Sequence, residues 1–294
     1  MPKEIIFNKQ NIEEIIKLYK SSVSCKKIGK QFNCSKQTIN KLLKLHNVSL
    51  RDTSHSNRKY YVNENIFEKI DSHEKAYWLG MLTGDGWITK RNEFGLSLQN
   101  KDKAHMDKYK KFLKSTHPIR IINNRIKNDG SPSISHALII NNKKIVSDLE
   151  KYKLIPNKTL HMSFPNLHNE FLASYMLGLV DSDGCFCLKS NYKNKNIKQL
   201  NFSFVGPTEF VEKFQQILID TCQISKTKLD IQKNTNFIRI VHYGGYKNIF
   251  KIVKFIYENS TIFLHRKKEI AINFLIQKYP NDDWLNKQLN ILSI

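Results

Sequence analysis

Two nonapeptides carry the chemistry most open to this 294-residue chain: Trp78-Leu-Gly-Met-Leu-Thr-Gly-Asp-Gly86 and Met176-Leu-Gly-Leu-Val-Asp-Ser-Asp-Gly184, offset by 98 residues at every position. Each is an apolar helix-forming run with small residues four apart, Gly80 with Gly84 and Gly178 with Ser182, leaving a notch where another backbone can approach. Each ends in an aspartate followed by a helix-stopping glycine, Asp85-Gly86 and Asp183-Gly184. A helix dipole disfavours a carboxylate at its C-terminus, so an acid there calls for a compensating cation. If the two helices pack notch to notch, both carboxylates arrive at one place beside that cation.

The elements that must position them follow the same period. After the first nonapeptide the pattern predicts strands over 87–89 and 95–99, a helix over 103–113, strands over 119–126 and 133–140, and a helix over 144–152. After the second come strands over 185–190 and 199–205, a helix over 209–221, strands over 228–232 and 237–243, and a helix over 246–257. The strands alternate polar and apolar residues. Gln99, then Asn123, Arg125 and Lys127 around Ile122 and Ile126, give the first copy a polar face. In the second copy that face holds Lys189, Gln199, Asn201, Lys228, Gln232 and Arg239, with Phe186, Leu188, Leu229 and Ile231 turned to the core. Such faces suit hydrogen bonding to base edges in a major groove. Cys185 and Cys187 share a strand face without forming a metal-ligand pattern.

Ahead of the repeat, Ile12, Ile15, Ile16 and Tyr19 have helical spacing, Ile28 and Phe32 continue it after a break, and Ser35 is placed to cap a third helix. That third helix sets Ile39, Leu42, Leu43 and Leu45 against Lys36, Gln37, Asn40, Lys41 and Lys44. The layout resembles a helix-turn-helix of the homeodomain-like or resolvase type, which implies that Lys36, Gln37, Asn40 and Lys41 meet DNA. The expected organisation is a module over 1–50, a basic linker over 51–71, and repeats over 72–165 and 166–294.

Charge points to the same class of partner. Lys and Arg total 48 against 26 Asp and Glu, a net charge of +22, and +9 of it falls in residues 1–60. A polyanion is the partner such a balance favours. Five cysteines form no CxxC pair, and no apolar run is long enough to cross a membrane. The expectation is a soluble, unexported protein, in a bacterial or phage-infected cytoplasm or in an organelle that encodes it.

The paired nonapeptides resemble the motif of the LAGLIDADG homing endonucleases, in the single-chain kind with two copies. The resemblance implies an α+β fold of two pseudo-symmetric αββαββα halves forming a DNA-binding saddle. It implies that Asp85 and Asp183 bind Mg²⁺, with Mn²⁺ as a substitute, at the scissile phosphates. It also implies a lysine beside each acid: Lys158 in Ile155-Pro-Asn-Lys158-Thr-Leu, and Lys267 in Leu264-His-Arg266-Lys267-Lys268, where Arg266 and Lys268 stay open as alternatives. The first nonapeptide departs from the family pattern in having Thr83 where the second has Asp181, which reads as a structural helix-end residue. The activity implied is metal-dependent cleavage of both strands of a long asymmetric DNA site by a monomer, across the minor groove, leaving 3′ overhangs. A non-cleaving DNA-binding regulator and an RNA-splicing maturase are the alternatives on the same scaffold.

Overall fold

The computed structural model describes residues 7–21, 23–50, 59–126, 132–190, 198–233 and 235–293. It divides into two compact units, Met1–Lys59 and Tyr60–Ile294.

The first unit holds helices α1 (Lys9–Lys20), α2 (Cys25–Gln31) and α3 (Lys36–Leu45). Each starts where a side-chain oxygen satisfies an otherwise orphaned N–H: Asn8 accepts from Asn11, Ser24 from Lys27 and Ser35 from Thr38. Ile15, Tyr19, Ile28, Ile39 and Leu43 form its core. Leu45, expected on the apolar side, is instead 79% exposed, because at about 100° per residue it lies off the helix face that Ile39, Leu42 and Leu43 bury. Lys36, Gln37 and Lys41 are exposed and Asn40 half-buried. Residues 51–58 of the expected linker lie outside the described residues.

The second unit repeats one order of elements. The first half runs α4 (His73–Gly84), β1 (Gly86–Ile88), β2 (Glu93–Gln99), α5 (Lys103–Phe112), β3 (Arg120–Ile126), β4 (Pro132–Asn141) and α6 (Lys143–Lys151). The second runs α7 (Asn169–Asp183), β5 (Gly184–Ser190), β6 (Lys198–Pro207), α8 (Thr208–Cys222), β7 (Asp230–Ile231), β8 (Ile238–Tyr243) and α9 (Tyr246–Tyr257), followed by α10 (His265–Lys278) and α11 (Asp283–Leu292). These are two αββαββα halves, each with a four-stranded antiparallel sheet, ordered β1-β2-β4-β3 and β5-β6-β8-β7. Phe94, Leu96, Leu138 and Ile140 line the helix side of one sheet, and Phe186, Phe202, Phe204 and Val241 that of the other.

Three expectations change here. Residues 60–70, read as the end of a linker, belong to this unit. Val62, Ile66 and Phe67 are buried, and the Tyr61 carbonyl accepts from Thr116 N–H at 2.9 Å. Leu188 and Ile231 are 47% and 64% exposed rather than buried in the core, both belonging to edge strands, β5 and β7. In β3 the pairing of Ile122 with Ser135, and of Ser135 with Gln99, puts Ile122 on the open side and Asn123 on the other. The irregular register between Asn123 and Ile126 then breaks the alternation on which the expected polar face depended.

Candidate active site

Helices α4 and α7 touch where Gly80 meets Gly178. A Cβ on Gly80 would fall 2.1 Å from the Tyr175 carbonyl oxygen, and one on Gly178 would fall 2.1 Å from the Tyr77 carbonyl oxygen. Backbones approach this closely only where both lack side chains. One turn on, Ser182 occupies the notch at Gly84, and Asp183 Oδ2 lies 2.7 Å from the point a Gly84 Cβ would take. The two helix ends, with Asp85 and Asp183, therefore finish side by side.

Their electrostatics follow from that proximity. Loss of hydration in the surrounding protein, and then the charge of Asp183, push the Asp85 carboxyl up to about 6, while Lys267 and Lys158 oppose the shift. Asp183 is raised as well, by the same loss of hydration, with Lys158 and Lys267 opposing. Among the described residues, neither carboxylate forms an ion pair within 4.0 Å.

Each helix end is capped by one lysine, and the two caps are alike. Lys158 Nζ donates to the carbonyls of Leu82 (2.8 Å) and Gly84 (2.6 Å). Lys267 Nζ donates to Val180 (2.8 Å), Asp181 (2.6 Å), Ser182 (3.4 Å) and Gly184 (2.7 Å). Leu82 and Val180 occupy the same position of the two nonapeptides, as do Gly84 and Ser182. A cation at the orphaned carbonyls of a helix C-terminus offsets the dipole that would otherwise repel the adjacent aspartate. Burial draws the Lys158 ammonium down to about 8 and lowers that of Lys267.

Residues 72–152 match the LAGLIDADG-like domain family. Among solved structures, the chain is similar to the I-LtrWI LAGLIDADG homing endonuclease bound to target DNA, at 14% identity over 78% of this chain and 96% of that one, with a TM-score of 0.48. It is similar to the homing endonuclease I-GzeII in complex with its DNA target at 13% identity, over 74% and 96% of the two chains, with a TM-score of 0.49. I-SmaMI bound to uncleaved DNA in the presence of calcium ions is similar at 14% identity, over 74% and 96%, with a TM-score of 0.44. No curated protein matches the chain in sequence.

The LAGLIDADG-like segment contains α4 with Asp85. The helix carrying Asp183 lies in the second half, which repeats the segment's elements and strand pairing. Of the three basic residues that sequence left open, only Lys267 reaches the motif-helix end. Arg266 makes a two-pronged bond with Asp102, at 2.9 Å for each prong. Lys268 is buried with its Nζ 3.8 Å from the centre of the Phe263 ring.

Sequence reasoning missed the cross-helix polar contacts. Asp181 is buried and accepts from Tyr77 Oη (2.8 Å) and from the Leu264 N–H (2.7 Å). Tyr77 Oη also lies 2.7 Å from His105 Nε2. Tyr175 reaches Thr83 in the mirror-image contact. The available signal was Tyr77 and Tyr175, which extend the repeat by one residue towards the N-terminus.

On the open side of the second sheet, Lys189 pairs with Gln199 and Cys187 with Asn201. Gln99, Lys228 and Gln232 are exposed. Arg239 departs from expectation: it pairs with Gly206 on the helix side, and its guanidinium donates to the carbonyls of Asn236 and Ile238. Arg125 belongs to β3, but its side chain lies outside the described residues, as does all of Lys127.

Proposed function

We propose that this chain is a site-specific DNA endonuclease of the homing type that cuts both strands using a divalent metal. The observation that carries the reading is the pair Asp85 and Asp183: neighbouring carboxylates, one exposed and one half-buried, at the ends of paired helices, each helix end held by its own lysine. Such a pair favours a cation. Mg²⁺ suits it, because this ion keeps several waters, needs few protein ligands and accepts substrate phosphate oxygens. Among the described residues no group of three or more His, Cys, Asp or Glu side chains is arranged to hold a metal, so a site here draws the rest of its ligands from water and phosphate. When bound, the metal supplies Lewis-acid stabilisation of phosphate charge and a more acidic water.

The chain's own residues do the remainder. Asp85 and Asp183 set one cation position per strand. Lys158 and Lys267, anchored by backbone carbonyls, hold positive charge at a fixed place beside the carboxylates, where charge builds on the phosphate during in-line attack. Their burial keeps bulk water from screening that charge. The polar strand residues Gln99, Lys189, Gln199, Asn201, Lys228 and Gln232 supply groove contacts, and the +22 net charge supplies affinity for the phosphate backbone. Helix α3, through Lys36, Gln37, Asn40 and Lys41, extends the recognised site. The protein acts as a monomer, since one chain carries both acids. Acids meeting over the minor groove cut phosphates offset towards their 3′ sides and leave 3′ overhangs.

The test is cleavage of a supercoiled plasmid library carrying randomised inserts, by the full chain with Mg²⁺ and with EDTA. The expected result is metal-dependent linear product with 3′-extended ends, lost in Asp85→Asn and in Asp183→Asn. Binding without cleavage by the unaltered chain would favour the regulator reading, and blunt or 5′-extended ends would overturn the minor-groove arrangement.

A further inference from the structure

Strand pairing aligns the two sheets residue by residue. Gly86 pairs with Leu96, and Leu96 with Leu138; in the second sheet Gly184 pairs with Phe204, and Phe204 with Val241. The next row out, two residues after each motif acid, is therefore Trp87–Gly95–Ile139 in one sheet and Cys185–Ser203–His242 in the other. Both rows face away from the helices, because alternation puts their neighbours Phe94, Leu96, Leu138, Ile140, Phe186, Phe202, Phe204 and Val241 into the core.

The rows differ in kind. A Cβ on Gly95 would fall within 2.4–2.8 Å of three atoms of the Trp87 ring, so the indole lies across the bare glycine. Beside it Ile139 is half-buried on the open side. This makes an apolar slab on a face turned away from the core. In the second sheet the glycine is replaced by Ser203, the indole by Cys185 and the isoleucine by His242, whose Nε2 lies 3.5 Å from Asp230 Oδ2. That row offers hydroxyl, thiol and imidazole groups to hydrogen-bond partners.

We propose that the two sheets read the innermost base pairs of their half-sites by different chemistry. Trp87 and Ile139 make apolar contact with a thymine methyl group, and Ser203 and His242 hydrogen-bond to base edges. In a major groove the 5-methyl of thymine is the apolar feature that base pairs present, so an apolar patch set against DNA selects it. The inference rests on the DNA-cleaving reading above and adds the asymmetry of the target.

The test starts by selecting bound duplexes from a randomised library with the full chain. The enriched site is then resynthesised with deoxyuridine replacing thymidine at the innermost positions of one half or the other, a change that removes only the methyl. The expected result is a loss of affinity of about 3- to 10-fold per methyl in one half and none in the other. Trp87→Gln with Ile139→Asn should abolish that sensitivity while leaving the other half unaffected. Equal loss in both halves, no loss in either, or an enriched site without thymine at those positions would overturn the inference while leaving the endonuclease reading intact. A library from which no sequence enriches would instead remove the DNA reading itself. The uridine comparison needs no variant, so it decides the matter even if the double substitution prevents folding.

Discussion

The Tyr77 hydroxyl donates to Asp181 Oδ2 at 2.8 Å across the paired helices, and the same oxygen accepts the Leu264 N–H at 2.7 Å. Leu264 immediately precedes α10, which carries Lys267, so one buried carboxylate joins the first motif helix to the segment that holds the second lysine. The mirror contact is weaker: Tyr175 Oη reaches the neutral Thr83 hydroxyl at 3.4 Å. Tyr77→Phe should therefore cost about 2–3 kcal/mol and Tyr175→Phe about 1 kcal/mol or less, as measured by urea unfolding. Equal costs would show that the Asp181 link contributes nothing beyond packing.

The crossing point of the helices makes a sharper steric prediction. Gly80→Ala and Gly178→Ala each drive a methyl into a backbone carbonyl that has no room to yield, and each should lower stability by about 2–3 kcal/mol. Gly206→Ala is the control: its Cβ would meet nothing closer than 3.4 Å, and thermal unfolding should shift little.

For Asp85 the pH dependence has a definite sign. Its folded pKa of about 6 lies above the usual carboxylate value, so its contribution to stability is fullest below about pH 4 and is lost as pH rises through about 6. Without metal, Asp85→Asn should match the unaltered chain near pH 4 and melt higher at pH 7.5, by no more than about 2 °C because the exposed carboxylate is screened by solvent. Mg²⁺ should raise the melting temperature of the unaltered chain at pH 7.5 and have little effect at pH 4, where the carboxyl is protonated. A metal-induced rise in Asp85→Asn as large as in the unaltered chain would place the cation elsewhere.

The lysine caps separate stability from chemistry. Lys267 is buried against four carbonyls, whereas Lys158 is half-buried against two. Lys267→Met should cost about 2–4 kcal/mol and Lys158→Met about 1 kcal/mol, while both reduce cleavage by roughly 10²-fold or more. Unfolding curves and single-turnover cleavage on one preparation check both parts. Undiminished cleavage by Lys158→Met would remove that lysine from the site.

Much of the positioning machinery was legible in the sequence because it is local or repeated. The 98-residue offset predicts two equivalent helices, the small residues four apart predict where they touch, and the Asp-Gly ends predict paired carboxylates that need cations. Alternation in central strands such as β6 holds because one face is fully covered by helix. Other features depended on contacts between segments distant in the sequence, which periodicity cannot encode. Lys267 reaches Val180 while Arg266 turns to Asp102, a choice made by the rotation of α10 against its neighbours. Asp181 becomes a cross-helix link only because Tyr77 and Leu264 converge on it. At the sheet margins, Ile231, Leu188 and the irregular stretch of β3 escape the alternation, since burial enforces a face only where a helix covers it. Residues 60–70 gave no periodic signal at all, yet Val62 and Phe67 are buried, because their fit depends on a surface built by the rest of the domain.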